Sequence, residues 1–388
     1  MGSGGTSGAL GGGWTVRLSE TGPVLPWTIS CPTASVCTAV GGGADGGSAI
    51  LRTVNGGTGW RHELPPSGEG GLLQVSCASR SFCLASGEGF HDVYVIATSD
   101  GGATWRQVDQ TDGEVWLDSL VARSPTDWYE MLTYFGTPTL RHTTDGGTTW
   151  TTSTMPTPAG GESSSILGGL SCPTATTCYA VRPSANTDGR LEVYKTTDGA
   201  ATVKRVADVA GSSEASASVA CWSASGCMVT GAGTGHQVLV TTNGGTSWAT
   251  RALPAGSSVG VQVQCPSSTS CLVLGTGAAG YVADTTSTRG TSWRSSTVEA
   301  MRAADPSSVT SLSCPTTATC AASVVGGFGL YDTTDAAATW APMHAPFGRP
   351  PLAQVACPNL RHCVAVGQGT ALWSLDDGAT WLAAAHGP

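Results

Sequence analysis

The sequence has few charged side chains, no long apolar run and no basic cluster. Only 12% of its 388 residues are charged, and the formal net charge is −9. Without a long apolar run, no membrane-spanning helix is expected. Without a basic cluster, the chain has no electrostatic basis for binding nucleic acid. Helix signals are nearly absent as well, so a chain with 54 glycines is expected to form short strands and turns.

One eight-residue stretch recurs along the whole chain. In its fullest form, Thr143 to Trp150, it reads TTDGGTTW. Close copies span Thr53 to Trp60, Thr98 to Trp105 and Thr241 to Trp248, and weaker copies end at Val203, Trp293, Trp340 and Trp381. Self-similarity at a period of about 40 to 50 residues indicates a propeller or a solenoid.

The repeated stretch has the chemistry of a tight turn that starts a strand. The Asp or Asn in third place is expected to bond backbone amides two residues further on, and the glycines supply positive φ. The Trp is then expected to enter the layer between neighbouring sheets, where it would bury on the order of 200 Å².

The pattern S/T-x-D-x-G-x-x-W resembles the Asp box, or BNR repeat, of the sialidase-like β-propellers. Sialidases, xyloglucan-cleaving glycosidases, sortilin-type receptors and photosystem II assembly-factor propellers share this box, and secreted bacterial repeat proteins resemble them. The resemblance covers nearly the whole chain and implies a propeller of four-stranded blades. It also implies that the box is structural and lies on the turn between the third and fourth strands, so it says little about activity.

The 14 cysteines form a second repeat, because they fall into seven pairs with five residues between partners. Each pair brackets a short turn, which predicts a cross-strand disulfide in the first hairpin of a blade. All 14 cysteines are therefore predicted to be disulfide-bonded. The pairs are Cys31/Cys37, Cys77/Cys83, Cys172/Cys178, Cys221/Cys227, Cys265/Cys271, Cys314/Cys320 and Cys357/Cys363. Zinc would require clusters of four ligands, so we expect no metal and no cofactor. Seven local disulfides predict a secreted or cell-surface protein.

The expected architecture is all-β. Residues 1–13 are predicted to be a flexible tail that replaces a removed targeting segment, and 14–388 a single, monomeric propeller of four-stranded antiparallel blades. Eight blades are expected, with seven blades, or seven plus an irregular unit, as the alternative. The repeats lie at about 28–60, 72–105, 117–150, 167–203, 216–248, 260–293, 310–340 and 352–384. Either Trp14 to Leu18 or the strand that begins at Trp381 is expected to close the ring.

Binding is expected on the face opposite the boxes, where propellers carry their longer loops. Charged and aromatic residues are concentrated in the loops of the second to fourth repeats. The candidate catalytic carboxylates are Glu88, Asp92, Glu114 and Asp118, and the candidate ligand-binding residues are His91, Trp116, Tyr134, Arg182, Arg190 and Arg302. The simpler alternatives are that the charged loop tips are only solvated and that the extra aromatics only fill gaps.

Two functions follow from these residues. The first is a non-catalytic propeller that binds an extracellular glycan or protein through its loop face. The second is a glycoside hydrolase or polysaccharide lyase with paired carboxylates, which would need about 5 Å between them for retention and 6.5–9.5 Å for inversion. The F/Y-R-I-P segment of sialidases is absent, and no G-x-S-x-G stretch has the strand-to-helix context of a nucleophile elbow. A role as an assembly factor is disfavoured by the disulfides and by the lack of a basic patch.

Overall fold

The structure is a computed structural model that describes residues 25–43, 47–56, 59–66, 70–89, 92–156, 169–183, 190–210, 217–232, 236–277, 280–300, 309–324, 329–342, 352–359, 362–367, 370–374, 382–383 and 385–386. Every regular element in these ranges is a β-strand. The described residues include no helix of the length and apolar character that a bilayer crossing requires. The predicted tail and the strand expected at Trp14 to Leu18 lie outside the described residues.

The strands follow the repeats in chain order, four to a repeat. Sheets 1 to 4 contain β1 (Leu25–Thr33), β2 (Val36–Gly42), β3 (Ser48–Thr53), β4 (Gly59–Glu63); β5 (Leu72–Cys77), β6 (Cys83–Glu88), β7 (Asp92–Thr98), β8 (Arg106–Asp112); β9 (Val115–Ala122), β10 (Trp128–Tyr134), β11 (Thr137–Thr143), β12 (Thr151–Thr154); and β13 (Leu170–Ser171), β14 (Cys178–Pro183), β15 (Arg190–Thr196), β16 (Lys204–Ala210).

Sheets 5 to 8 repeat the same order. They contain β17 (Val219–Ser223), β18 (Gly226–Ala232), β19 (Gln237–Thr241), β20 (Ala249–Ala252); β21 (Ser257–Gln264), β22 (Cys271–Gly277), β23 (Gly280–Thr286), β24 (Arg294–Ala300); β25 (Val309–Ser313), β26 (Cys320–Val324), β27 (Gly329–Thr333), β28 (Ala341–Pro342); and β29 (Leu352–Ala356), β30 (Cys363–Gly367), β31 (Thr370–Ser374), β32 (Leu382–Ala383). A last strand, β33 (Ala385–His386), follows.

The sheets pack side by side in a closed ring. The first strand of each sheet contacts the first strand of the next, from β1 and β5 round to β25 and β29. The ring closes where β1 contacts β29 and β30, and where the side chain of Gln354 accepts a hydrogen bond from the amide of Ile29. The described strands therefore form a β-propeller, and buried apolar side chains fill the layers between its sheets.

Seven of the sheets are four-stranded antiparallel blades of the predicted form, while sheet 1 is irregular. In sheet 1, β33 adds a fifth strand that runs parallel to β4 and pairs Ala385 with Gly59 and His386 with Trp60. The prediction of eight four-stranded blades was therefore wrong for sheet 1, and the alternative of seven blades with an irregular unit agrees with the described strands. The end of the chain completes sheet 8 through β32 and then continues onto the outer edge of sheet 1.

The boxes form the turn between the third and fourth strands, and their hydrogen bonds repeat from sheet to sheet. In sheet 2, Thr98 Oγ1 donates to Asp100 Oδ1 at 2.9 Å and accepts from the amide of Gly102 at 2.8 Å. The same carboxylate accepts from the amide of Thr104 at 3.0 Å. The acid thus bonds an amide four residues ahead, and the predicted bond two residues ahead was wrong. The buried Trp105 packs against sheet 1, as expected.

All 14 cysteines form the seven predicted disulfides, with Cα–Cα distances between 4.0 and 4.2 Å. Each joins the first two strands of its sheet beside the turn that connects them. The box and the disulfide hairpin are tied together; the amide of Gly199, for example, donates to the carbonyl of Thr176 at 3.1 Å. We call this end of the ring the box face, and the opposite end, where second strands pass into third strands, the loop face.

The second cysteine of each pair is a buried core residue. Cys37, Cys83 and Cys227 are 0% exposed, although the sequence placed them beside turns. Cys37 packs in one hydrophobic cluster between sheets, and Cys227 packs in another. Their sulfur atoms are bonded to those of Cys31 and Cys221. These buried cysteines are therefore structural, and no ligand can reach them from solvent.

Candidate binding surface on the loop face

Among the described residues, the most exposed aromatic side chains on the loop face lie at the tip of sheet 3, between β10 and β11. Tyr134 is 41% exposed and Phe135 is 58% exposed. Their rings meet edge to face, with centroids 4.6 Å apart. They lie over Gly113, where an added Cβ would come within 3.1 Å of the Phe135 ring and 3.4 Å of the Tyr134 ring. The two aromatics and the chain around Gly113 therefore form one local surface.

Carboxylates surround this aromatic pair. Asp112 and Glu114 flank Gly113 in the sequence, and both are exposed. Asp92 lies directly opposite Asp112 in the pairing of β7 and β8. The amide nitrogen of Gln110 donates to both acids, at 2.8 Å to Asp92 Oδ2 and at 3.0 Å to Asp112 Oδ1. Like charges directly opposite each other destabilise a strand pair. The pairing of Asp92 with Asp112 therefore places negative charge at this edge and lowers the stability of the sheet.

The backbone of Phe135 is strained, because its φ of +46° lies in the left-handed region that L side chains other than Asn and Asp rarely adopt. Gly136 follows with a φ of +74°, so the two residues form the tight turn between β10 and β11. The amide of Phe135 donates to the carbonyl of Glu114 at 2.8 Å, which fixes the turn against β9. Sequence reasoning missed Phe135, although an aromatic residue before Gly at a hairpin tip was a usable signal.

We name the five residues Asp92, Asp112, Glu114, Tyr134 and Phe135 the tip patch. Three of them, Asp92, Glu114 and Tyr134, were candidates from the sequence. A local excess of negative charge around two exposed rings is an arrangement that attracts cations, both by charge and through the ring faces.

A second group of candidates lies deeper, on the inner strands. Asp118 is the extra residue of a β-bulge in β9, because Leu132 pairs with Leu117 while the neighbouring Met131 pairs with Ser119. Its carboxylate accepts a hydrogen bond from Thr133 Oγ1 at 2.8 Å. The backbone carbonyl of Asp118 accepts from Gln74 Nε2 of sheet 2 at 3.2 Å. The bulge therefore places a partly buried acid on the first strand of sheet 3, and bulges of this kind are common next to functional sites.

Three charged candidates from successive sheets meet in this deeper group. Burial raises the pKa of Asp118 to about 6, while the guanidinium of Arg182 in sheet 4 acts in the opposite direction. Burial also raises the pKa of Glu88, whose carboxylate accepts a hydrogen bond from the Leu117 amide. Charge repulsion between Glu88 and Asp118 adds to the rise for Asp118. We name Glu88, Asp118 and Arg182 the inner cluster.

The remaining candidates do not join one site. Trp116, 40% exposed, pairs with Thr133, whereas Val115 pairs with Tyr134. Because cross-strand partners point to the same face, Trp116 and Tyr134 leave the sheet on opposite faces and do not form a single stacking platform. The guanidinium of Arg190 is paired with Asp208 on the neighbouring strand.

Two further predicted site residues, His91 and Arg302, lie outside the described residues. Among the residues that the structure describes, no group of three or more His, Cys, Asp or Glu side chains has the arrangement of a metal site. The tip patch and the inner cluster are therefore the two candidate sites.

No protein-family model and no curated protein sequence match this chain. Similarity to solved structures does exist. A structure of YCF48 bound to D1 peptide is 12% identical, with a TM-score of 0.53 over 93% of this chain and 95% of that chain. The β-propeller domain of Cps50 (Swd1) from Myceliophteria thermophila is 11% identical, with a TM-score of 0.51 over 93% and 99%. At such identities the similarity shows the fold alone.

A GH74 enzyme from Niastella koreensis is also similar, at 13% identity and a TM-score of 0.46, over 92% of this chain and 65% of that chain. That score is too low to support an inference about activity. The class that the fold defines is therefore the β-propeller, and the function has to be argued from the sites themselves.

Proposed function

We propose that this protein is a binding propeller whose tip patch takes a positively charged segment of a protein partner. The observation that carries the proposal is Phe135, an exposed ring held in a strained backbone conformation. A left-handed L residue costs roughly 1–2 kcal/mol, and strain of this kind is found where a function requires it. Asn or Gly at position 135 would form the same turn without strain. We therefore infer that the aromatic ring of Phe135 is required for function.

Charge decides the kind of partner. Asp92, Asp112 and Glu114 surround the aromatic pair, and the whole chain carries a net charge of −9. Arginine and lysine side chains would pair with the carboxylates and lie against the ring faces of Tyr134 and Phe135. Aromatic residues in the centre of an interface with charged groups at its rim are the usual arrangement of a binding hot spot. The structure of YCF48 bound to D1 peptide provides a precedent for a peptide ligand on a similar fold.

The test is a peptide array in which arginine- and lysine-containing sequences are matched with versions that carry Glu instead. The wild-type protein is expected to retain basic peptides and to release them at high salt. The variant Phe135→Asn should lose this binding, because Asn suits the left-handed turn but has no ring. Arg190→Gln, on an ion pair outside the tip patch, is the matched control and should bind normally. Equal retention of acidic and basic peptides would contradict the proposal.

The inner cluster favours a second candidate, a glycoside hydrolase. Two carboxylates with raised pKa values, Glu88 and Asp118, belong to adjacent sheets, and a carboxyl group with a raised pKa is suited to act as a general acid. Release of reducing sugar from plant and bacterial polysaccharides, lost in both Glu88→Gln and Asp118→Asn, would support this candidate. Turnover that survives both substitutions would exclude these carboxylates from catalysis.

The proposal extends to the location, the oligomeric state and the fold family of the protein. We infer an extracellular or cell-surface location, since seven disulfides suit an oxidising compartment. We also infer a monomeric propeller over 14–388 that belongs with the Asp-box propellers. The repeated bonds of Thr98, Asp100 and Gly102 support the Asp-box assignment. Sedimentation of the purified protein and mass analysis of its culture medium test the oligomeric state and the secretion.

A further inference from the structure

A cavity of about 410 Å³ opens on the box face between sheets 6 and 7. Sheet 6 contributes Ser270, Thr285 and Arg294 to its walls, and sheet 7 contributes Thr316, Thr317 and Ala336. Its volume lies within the range of about 300–1,000 Å³ that is usual for small-ligand sites. We name this cavity the 6/7 slot.

The corresponding place between sheets 4 and 5 is filled by two side chains of sheet 4. Lys195 Nζ donates to the carbonyl of Gly244 at 2.7 Å, and Tyr179 Oη donates to the carbonyl of Ala224 at 2.9 Å. The ammonium group lies over the Tyr179 ring, 5.2 Å from its centroid. Both acceptors are backbone carbonyls of the next sheet, so the pair connects one sheet to its neighbour.

The place between sheets 3 and 4 is filled in the same way. Tyr129 Oη donates to the carbonyl of Ala175 at 2.8 Å, and His142 Nδ1 lies 3.2 Å from the carbonyl oxygen of Gly199. The two rings stack with centroids 3.9 Å apart. A tyrosine and a nitrogen donor thus occupy the same two positions in both sheets.

Sheet 6 lacks both donors. The residue that directly follows the second cysteine is Tyr179 in sheet 4 and Leu272 in sheet 6. The residue that directly precedes the box is Lys195 in sheet 4 and Thr285 in sheet 6. The Thr285 hydroxyl donates instead within its own sheet, to the carbonyl of Arg294 at 3.2 Å. The slot is open because these two side chains are too short or too apolar to fill it.

The acceptors of sheet 7 therefore lack partners. Thr317 and Ala336 occupy the positions of Ala224 and Gly244. Among the residues that the structure describes, none donates a hydrogen bond to either carbonyl oxygen. The place between sheets 5 and 6 also lacks a tyrosine and a cation in sheet 5, but there Arg289 Nε donates to the carbonyl of Ser268 at 2.8 Å. Sheet 7 has Ala336 where sheet 6 has Arg289. An alanine side chain has no donor, so it cannot make the corresponding bond to the carbonyl of Thr317.

Arg294 is the one charged residue among the described residues that line the slot. It is exposed, and within the described ranges no side chain or carbonyl accepts a hydrogen bond from its guanidinium. Its counterpart in sheet 1, Arg61, donates Nη2 to the carbonyl of Gly101 at 2.8 Å. The described walls of the slot therefore offer carbonyl acceptors, several hydroxyl groups and one guanidinium without a protein partner, and they include no carboxylate.

We propose that the 6/7 slot binds an acidic sugar, namely a uronic acid unit of a polysaccharide. Its ring hydroxyls would donate to the carbonyls of Thr317 and Ala336, as Tyr179 and Lys195 do in sheet 4. Its carboxylate would pair with Arg294, whose planar fork matches a carboxylate in two parallel hydrogen bonds. A metal cation is disfavoured because the walls have no anionic ligand, and an isolated ammonium group is disfavoured by the positive charge of Arg294.

The test is calorimetric titration of the full chain with digalacturonate, and with cellobiose as the neutral probe. Digalacturonate is expected to bind saturably, and cellobiose about tenfold more weakly or not at all. Arg294→Gln should abolish the preference for the acidic sugar. The double variant Leu272→Tyr/Thr285→Lys fills the slot with the pair found in sheet 4, so it should lose binding while its melting temperature stays equal or rises.

Arg106→Gln changes the exposed arginine of sheet 2 that corresponds to Arg294 and does not touch the slot, so it is the matched control and should bind like the wild type. Absence of saturable binding to digalacturonate, or binding that survives the filling variant in a folded protein, would overturn the proposal. The site is independent of the tip patch, because the two lie on opposite faces of the ring. Phe135→Asn should therefore leave sugar binding unchanged, so failure of one proposal can be told from failure of the other.

Discussion

Sheets 3 and 4 solve the same structural problem in different ways. In sheet 4, a disulfide between Cys172 and Cys178 joins the first two strands beside their turn. In sheet 3 the same two positions hold Ala122 and Trp128, which still face each other across the strand pair. The hairpin therefore keeps its register without a covalent bond. In the other sheets, the disulfide stabilises a hairpin whose register is already determined by strand pairing.

Sheet 3 replaces the covalent bond with packing and charge. Trp128, 1% exposed, packs against Phe82 and edge-on against Trp150, with ring centroids 6.1 and 6.0 Å away. At the turn, Asp127 pairs with Arg123 at 3.3 Å and with His142 at 2.8 Å. An additional acid, Glu130, is buried two residues after Trp128, where sheets 2 and 4 have alanine. Sheet 3 also carries both aromatic residues of the tip patch, so the sheet without a disulfide is one of those with functional candidates.

The largest expected effect comes from removing the packing. Trp128→Ala should lower the free energy of unfolding by about 3–5 kcal/mol, because a buried aromatic is lost and a cavity remains. Urea denaturation followed by circular dichroism measures the loss. Ala122→Cys/Trp128→Cys should form an eighth disulfide, detectable by thiol titration, yet remain less stable than the wild type. A variant as stable as the wild type would show that packing does not replace the bond.

Removing the covalent bond from sheet 4 should have a smaller effect. Cys172→Ala/Cys178→Ala is expected to cost about 2 kcal/mol, mainly because a short loop in the unfolded chain is no longer closed. The same denaturation experiment applies, with Cys221→Ala/Cys227→Ala in sheet 5 as the control for position. A loss near zero would mean that the strand pairing alone maintains the hairpin.

The buried acid of sheet 3 predicts a pH dependence. Burial raises the pKa of Glu130 to about 7, although Arg141 acts in the opposite direction. A carboxyl whose folded pKa is raised contributes its stability at low pH and loses it as the pH rises through the folded value. Between pH 5 and pH 8 the wild type should therefore lose roughly 1–2 kcal/mol relative to Glu130→Gln. A constant difference between the two stability curves would show that Glu130 stays ionised.

The smallest effect is expected from the charges at the turn of sheet 3. Asp127→Asn keeps the shape of the side chain but weakens the pairs with Arg123 and His142. Asp127 and Arg123 are both partly exposed, so the expected loss is at most about 1 kcal/mol, and it should shrink in high salt. A loss larger than that of the sheet 4 disulfide would reverse the comparison and make charge the main replacement for the bond.

The sequence predicts the local features of the fold well, because each repeat carries its own turn and cysteine chemistry. All seven disulfides follow from the cysteine spacing, and the four-stranded form of sheets 2 to 8 follows from the resemblance to the Asp-box propellers. The fifth strand of sheet 1 could not be foreseen, because the pairing of β33 with β4 joins segments more than 300 residues apart. Long-range pairing of so short a strand leaves no pattern in the sequence.

The sites were predictable only in part. Loop composition directed attention to Glu88, Asp118 and Arg182, but the bulge at Asp118 depends on strand register. Phe135 was missed because its importance lies in its backbone conformation. The 6/7 slot was missed because it is a space that larger side chains fill between other sheets. Leu272 and Thr285 leave that space open, and only the packing of neighbouring sheets reveals it.

The variant Phe135→Asn tests the central claim most directly, by measurement of its melting temperature and of its affinity for the best basic peptide in one preparation. The proposed function predicts a melting temperature equal to or above that of the wild type, because the turn loses its strain. It predicts a peptide affinity at least about tenfold weaker, because the exposed ring is gone. An affinity equal to that of the wild type would contradict the assignment of the tip patch as the binding surface.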